Sequence, residues 1–75
     1  MDSEKIGAFV AARRKAMEMT QQQLAQVLGV TNKAVSKWES GTADPSTSNL
    51  LALAKLFGVP AEELLRETAA GGAGA

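Results

Sequence analysis

The sequence contains no cysteine, no histidine and no tyrosine. The absence of cysteine excludes disulfides and thiol nucleophiles, and the absence of histidine excludes imidazole bases and most zinc or transition-metal sites. Only carboxylates remain as metal ligands, so we expect neither a bound metal nor a cofactor. Aromatic residues make up 4% of the chain and β-branched residues are scattered, which argues against a β-barrel or a β-sandwich.

Long hydrophobic runs are also missing. A bilayer-spanning helix needs roughly 18 apolar residues, whereas the longest apolar stretch, residues 50–54, is followed by Lys55. After Met1, acidic residues precede the first apolar residue, and three basic residues occupy positions 13–15. We therefore expect no signal peptide and a cytoplasmic protein without membrane contact. With 75 residues and no covalent staple, the chain is one small domain that relies on well-made helices or on self-association.

Apolar spacing and capping residues predict five helices. Helix 1 runs near residues 4–17 after Ser3 as N-cap, and helix 5 begins at Val59-Pro60. Helix 2 spans 21–28 behind a capping box, helix 3 spans 32–40, and helix 4 follows Ser46 or Thr47 and ends at Gly58. The fold class is therefore all-α, with one domain over residues 1–67 and a flexible Ala/Gly-rich tail over 68–75.

The apolar positions of these helices predict the core. The predicted apolar face of helix 1 also carries two arginines, Arg13 and Arg14. The predicted core residues are Ile6, Phe9, Val10, Met17, Leu24, Ala25, Leu28, Val35, Trp38, Leu50, Leu51, Leu53, Ala54, Phe57, Leu64 and Leu65.

Helix 3 has two different faces at about 100° per residue. Its apolar side chains, Ala34, Val35 and Trp38, fall on one side. The opposite side carries an amide, two ammonium groups and a hydroxyl, belonging to Asn32, Lys33, Ser36 and Lys37. These groups can pair with base edges or phosphates. For an isolated helix, the alternative interpretation is an ordinary solvated face.

The context of helix 3 favours DNA. Helices 2 and 3 are short and joined by a turn containing Gly29, which is typical of a helix-turn-helix whose second helix enters the major groove. The chain resembles the Cro/repressor-type helix-turn-helix family, also called the xenobiotic-response-element family, over residues 4 to about 66. The resemblance rests on Arg14, Thr20-Gln21, Leu24-Ala25, Gly29-Val30, the run Val-Ser-Lys-Trp-Glu-Ser-Gly at 35–41, Pro45, Leu53-Ala54 and Gly58-Val59.

The resemblance implies a compact five-helix, repressor-like domain and gives roles to single residues. Gln21 matches a glutamine that binds a DNA phosphate and braces the recognition helix, and Thr31 matches a helix cap near a phosphate. The positions that contact bases correspond to Asn32, Lys33 and Lys37, with Ser36 between them. Arg14 and Glu39 match a partly buried salt bridge between helix 1 and the end of helix 3.

Two features depart from the family pattern. Glu18 stands where relatives usually have Gly or Asn at positive φ, so we expect helix 1 to end differently. The loop at 42–44 lacks a basic residue, and Asp44 would repel a phosphate. Charge is uneven although the chain is neutral: residues 5–38 hold six basic residues and one acidic, net +5, whereas 39–75 hold two basic and five acidic, net −3.

Three functions compete. The favoured one is a sequence-specific DNA-binding transcriptional regulator, a repressor that binds a palindromic operator as a homodimer, with Val59, Pro60 and Leu64 as candidate dimer contacts. The alternative is a protein-interaction module of the same fold, such as the antitoxin of a toxin–antitoxin pair. An enzyme is disfavoured because Glu62 and Glu63 are adjacent, and their carboxylates diverge by about 100° on a helix.

Overall fold

The computed structural model describes residues 2–68, with side chains described up to Arg66. Five α-helices follow one another within this range, and it contains no strand: α1 Ser3–Ala16, α2 Gln21–Leu28, α3 Asn32–Ser40, α4 Thr47–Phe57 and α5 Ala61–Thr68. The all-α, five-helix prediction is confirmed. No helix within residues 2–68 is long and apolar enough to cross a membrane. The tail predicted for 68–75 lies outside the described residues from residue 69 onward.

Side-chain caps set the helix starts. The Thr20 hydroxyl accepts the Gln23 N–H at 3.0 Å and the Gln23 side chain accepts the Thr20 N–H at 2.8 Å, so the predicted capping box is present. Ser46 caps α4. The prediction of Ser3 as the first cap is wrong. Asp2 takes that position, because its carboxylate accepts the N–H groups of residues 4 and 5 and suits the positive end of the helix.

The end of α1 also differs from the prediction. Glu18 adopts the left-handed conformation, with φ 56°, although glutamate favours it poorly. Two hydrogen bonds between Arg14 and Met19 span Glu18 and are compatible with this conformation. The Met19 N–H donates to the Arg14 carbonyl at 3.1 Å, and the Arg14 guanidinium donates back to the Met19 carbonyl at 2.8 Å. Helix 1 therefore ends with positive φ despite its unfavourable residue.

The core lies between α1, α2, α3 and α4, and a smaller cluster joins α4 to α5. The buried hydrophobic residues among those described are Ile6, Val10, Leu24, Ala25, Val35, Trp38, Leu50, Leu53, Ala54, Phe57 and Leu64. Three core predictions are wrong: Met17, Leu51 and Leu65 are 43%, 53% and 44% exposed. Leu51 and Leu65 each follow a buried leucine, and one step along a helix turns a side chain by about 100°, away from the core.

Candidate nucleic-acid interface

The turn between α2 and α3 fixes the angle between these helices. Gly29 takes the left-handed conformation, with φ 72°, and the Val30 N–H donates to the Ala25 carbonyl at 3.0 Å. Thr31 is the N-cap of α3, because its hydroxyl accepts the Ala34 N–H at 3.1 Å. Leu24 of α2 and Val35 of α3 are both fully buried in the same cluster. A short helix, a glycine turn and a second short helix thus form one rigid unit.

The two predicted faces of α3 are confirmed. Val35 and Trp38 are buried at 0% and 4% exposure, and Ala34 packs against the core. The opposite face consists of four exposed side chains: Asn32, Lys33, Ser36 and Lys37. Within residues 2–68 none of these four side chains has a hydrogen-bond or ion-pair partner, so their donors and acceptors are available to a ligand. The single tryptophan belongs to the core.

An ion pair connects α1 to α3, as the resemblance implied. Arg14 Nε lies 2.6 Å from Glu39 Oε2, and Arg14 Nη2 donates to Glu39 Oε1 at 3.0 Å. The side chains are only 13% and 9% exposed. Their partial burial makes the loss of either partner costly, because the other charge is left unpaired in a poorly solvated site. The pair therefore holds the C-terminal end of α3 against α1.

Each partner shifts the pKa of the other. The hydrogen bond to Glu39 raises the Arg14 pKa against the effect of burial. Burial acts to raise the pKa of Glu39, but hydrogen bonds from Arg14 and Gln21, with attraction to Arg14 and Lys15, outweigh it and lower that pKa. Both groups are consequently charged at neutral pH.

The Gln21 side chain has a partner that the local sequence did not reveal. Its Nε2 donates to Glu39 Oε1 at 3.0 Å, and the residue is half-buried. Gln21 is the first residue of α2, whereas Glu39 is next to the end of α3. Since 18 positions separate them, no periodicity within one helix predicts the contact. Gln21 thus braces α3 directly, and it is not a freely solvated side chain.

Two acidic residues considered in the sequence analysis lie outside α3. Asp44, in the loop between α3 and α4, and Glu62, in the first turn of α5, are both exposed. Among residues 2–68 no three acidic side chains lie close enough together to hold a metal ion. The expectation that the protein binds no metal or cofactor stays a prediction.

Comparison with known proteins agrees with this geometry. A family model described as helix-turn-helix matches residues 10–64, which include the whole unit from α2 through α4. The chain belongs to the Cro/repressor-type helix-turn-helix family.

Individual relatives of this helix-turn-helix chain are similar over most of its length. Repressor protein C2 of Salmonella phage P22 is 36% identical over 66 residues, 88% of this chain and 31% of that protein. The transcriptional activator BcrR of Enterococcus faecalis is 44% identical over 52 residues, 69% of this chain and 26% of that protein. The chain thus spans about a third or less of the curated relatives named here.

A solved structure shares the fold. The crystal structure of the P22 c2 repressor in complex with a synthetic operator has a TM-score of 0.75 and 37% identity to this chain. The match covers 83% of this helix-turn-helix chain and 94% of the other. The five-helix arrangement is therefore that of a repressor domain.

Proposed function

We propose that this chain is the DNA-binding domain of a transcriptional regulator that inserts α3 into the major groove. The observation that carries the proposal is the exposed polar face of α3, set beside α2 by the glycine turn. A helix of this kind fits the major groove and reads base edges there. The role is one of binding and includes no catalytic step. We further propose that the protein acts in the cytoplasm. We propose that it acts there as a repressor, because a protein that occupies an operator can block transcription.

The side chains divide into base-reading and phosphate-contacting groups. Asn32, near the start of α3, suits the N6 and N7 atoms of adenine, whereas Lys33 and Lys37 suit the O6 and N7 atoms of guanine or a phosphate. Ser36 lies between them on the same face. Two residues that are already bonded within the protein, Gln21 and Thr31, would contact phosphates and fix the register of α3 on the duplex.

Selection of duplexes from a random DNA pool tests this role. The structure offers a matched pair of variants, Lys37→Ala on α3 and Lys55→Ala on α4, because both lysines are exposed and each change removes one positive charge. We expect Lys37→Ala to weaken the free energy of DNA binding by about 1–3 kcal/mol, through one operator position, and to relax the base preference at that position. Lys55→Ala should leave the preference unchanged.

Two results would count against a DNA reader. If Lys37→Ala and Asn32→Ala left both affinity and base preference intact, α3 would not read the bases. If the folded protein selected no duplex above background, the protein-interaction module would become the better interpretation. Far-ultraviolet circular dichroism of each variant supplies the control, since both side chains are exposed and unpartnered within the described residues.

We also propose that two copies bind a palindromic site, with half-site centres about one helical turn, roughly 34 Å, apart. A groove between α4 and α5 supports a contact between copies, because it exposes two large leucines, Leu51 and Leu65. Of the contacts expected from the sequence, Leu64 is 1% exposed and cannot serve, whereas Pro60 is exposed and Val59 half-buried.

The dimer is tested by comparing binding to a full palindrome and to a single half-site. Leu51→Ser and Leu65→Ser should weaken binding to the palindrome while leaving half-site binding intact. Val27→Ser is the matched control, because Val27 is 59% exposed on α2, outside the groove. A footprint over one half-site at saturation, or equal effects of all three substitutions, would oppose the dimer.

A further inference from the structure

The Glu39 carboxylate is the meeting point of groups from two other helices. Its Oε1 accepts two hydrogen bonds at 3.0 Å, one from Arg14 Nη2 of α1 and one from Gln21 Nε2 of α2. Its Oε2 accepts Arg14 Nε at 2.6 Å. The two Arg14 bonds join α1 to α3, whereas the Gln21 bond joins α2 to the same carboxylate of α3.

The chemistry of the carboxylate determines which end of the Gln21 amide faces it. An amide has a donating nitrogen and an accepting oxygen, and an ionised carboxylate only accepts. Glu39 is held in the ionised form by the lowering of its pKa beside Arg14 and Gln21, which outweighs burial. It consequently attracts Nε2 and repels Oε1. Charge-assisted hydrogen bonds are about twice as strong as neutral ones, so the preference is firm.

DNA phosphates impose the same requirement from the other side. Phosphate oxygens accept hydrogen bonds, so only the nitrogen end of the Gln21 amide can bind one. The Nε2 group carries two protons, and one of them is donated in the hydrogen bond to Glu39. Within the described residues the second proton has no other acceptor, and the Gln21 residue keeps part of its surface exposed at the first position of α2. One nitrogen can thus bridge an internal carboxylate and an external phosphate.

We propose that Glu39 is a positioning residue for DNA binding, which fixes the Gln21 amide with its nitrogen directed for contact with a phosphate. This inference rests on the proposed function and adds a residue that does not itself touch DNA. Arg14 holds Glu39 in place through its two hydrogen bonds. The stability of the α1–α3 contact and the affinity for DNA are thereby linked through a single carboxylate.

A double-mutant cycle measured on DNA affinity tests the proposal. The four proteins are the unaltered chain, Gln21→Ala, Glu39→Gln and the double variant, and the probe is the duplex selected from the random pool. In the otherwise unaltered chain, Gln21→Ala should lower the DNA affinity about tenfold, because it removes a hydrogen bond to a charged phosphate. In the Glu39→Gln background the neutral side chain at position 39 no longer favours the nitrogen end of the Gln21 amide. Adding Gln21→Ala to Glu39→Gln should therefore lower the DNA affinity by less than about twofold.

Controls separate positioning from stability and from net charge. Glu62→Gln removes the same charge from an exposed site on α5, and in that background Gln21→Ala should keep its full effect. All affinities are measured at a temperature where circular dichroism shows every variant folded. A merely structural Glu39 would change affinity without changing the effect of Gln21→Ala.

The possible failures are distinguishable. If Gln21→Ala weakened binding equally in the Glu39→Gln and Glu62→Gln backgrounds, Glu39 would not position Gln21, and the proposed function would stand. If Gln21→Ala had no effect in the unaltered chain, the phosphate contact and the positioning role would both be refuted. If the unaltered chain bound no duplex, the proposed function itself would fail and the positioning role with it.

Discussion

Gly7 of α1 lies directly against the backbone of α3. A Cβ built on this glycine would lie 2.4 Å from the Trp38 carbonyl oxygen and 2.8 Å from the Glu39 carbonyl oxygen. Both atoms belong to the backbone of α3, so no side-chain rotation can relieve the overlap. The substitution Gly7→Ala must therefore separate the two helices or bend one of them.

Two opposing effects determine the outcome of Gly7→Ala. Alanine is favoured over glycine inside a helix by about 1 kcal/mol, which by itself would stabilise α1. Overpacking a well-packed contact costs about 1–3 kcal/mol, and a clash with rigid backbone belongs at the upper end of that range. The substitution should lower the free energy of unfolding by about 2 kcal/mol, and for a domain of this size each kcal/mol lowers the melting temperature by roughly 4–8 °C.

Urea denaturation followed by circular dichroism and by Trp38 fluorescence measures this loss. The matched control is Ala12→Gly, because Ala12 is exposed on the same helix and reports the propensity difference without a packing change. Adding the magnitude of that difference to the loss for Gly7→Ala gives the steric cost alone. If Gly7→Ala instead stabilised the protein by about 1 kcal/mol, propensity would be the whole effect, and the close approach of α1 to α3 would be refuted.

Three further predictions concern Arg14, Glu39 and Glu18. Arg14→Ala or Glu39→Ala alone should lower the free energy of unfolding, measured by chemical denaturation, by about 3 kcal/mol. The double variant should lose less than the sum of the two, and strict additivity would show that the pair is uncoupled. Folding lowers the pKa of Glu39 below its ordinary value of 4.5, so the stabilisation by Glu39 is present above pH 4.5 and is lost as the pH falls through the lowered pKa. Thermal melts across acidic pH should show a weaker pH dependence for Glu39→Gln. Glu18→Gly should stabilise by up to about 1 kcal/mol by relieving positive φ, whereas Glu18→Gln should be neutral in the same melts.

The sequence by itself determined the helices, because caps and glycine turns act within a few residues. The capping box of Thr20 and Gln23, the Thr31 cap and the glycine after α3 are local interactions, and each is present where the sequence predicts it. The two faces of α3 also follow from helical periodicity alone. The sequence was less decisive at the first helix start, where both Asp2 and Ser3 are suitable caps.

Tertiary structure decided the features that depend on which helices meet. Leu50 and Leu51 are chemically equal, and the packing of α4 against α5 and against Phe9 of α1 determines that the first is buried and the second exposed. Glycine at position 7 is an unfavourable helix residue until the backbone of α3 lies against it. The bond from Gln21 to Glu39 joins the start of α2 to the end of α3. Local propensity cannot predict such contacts, because their energy arises only after distant segments of the chain have packed together.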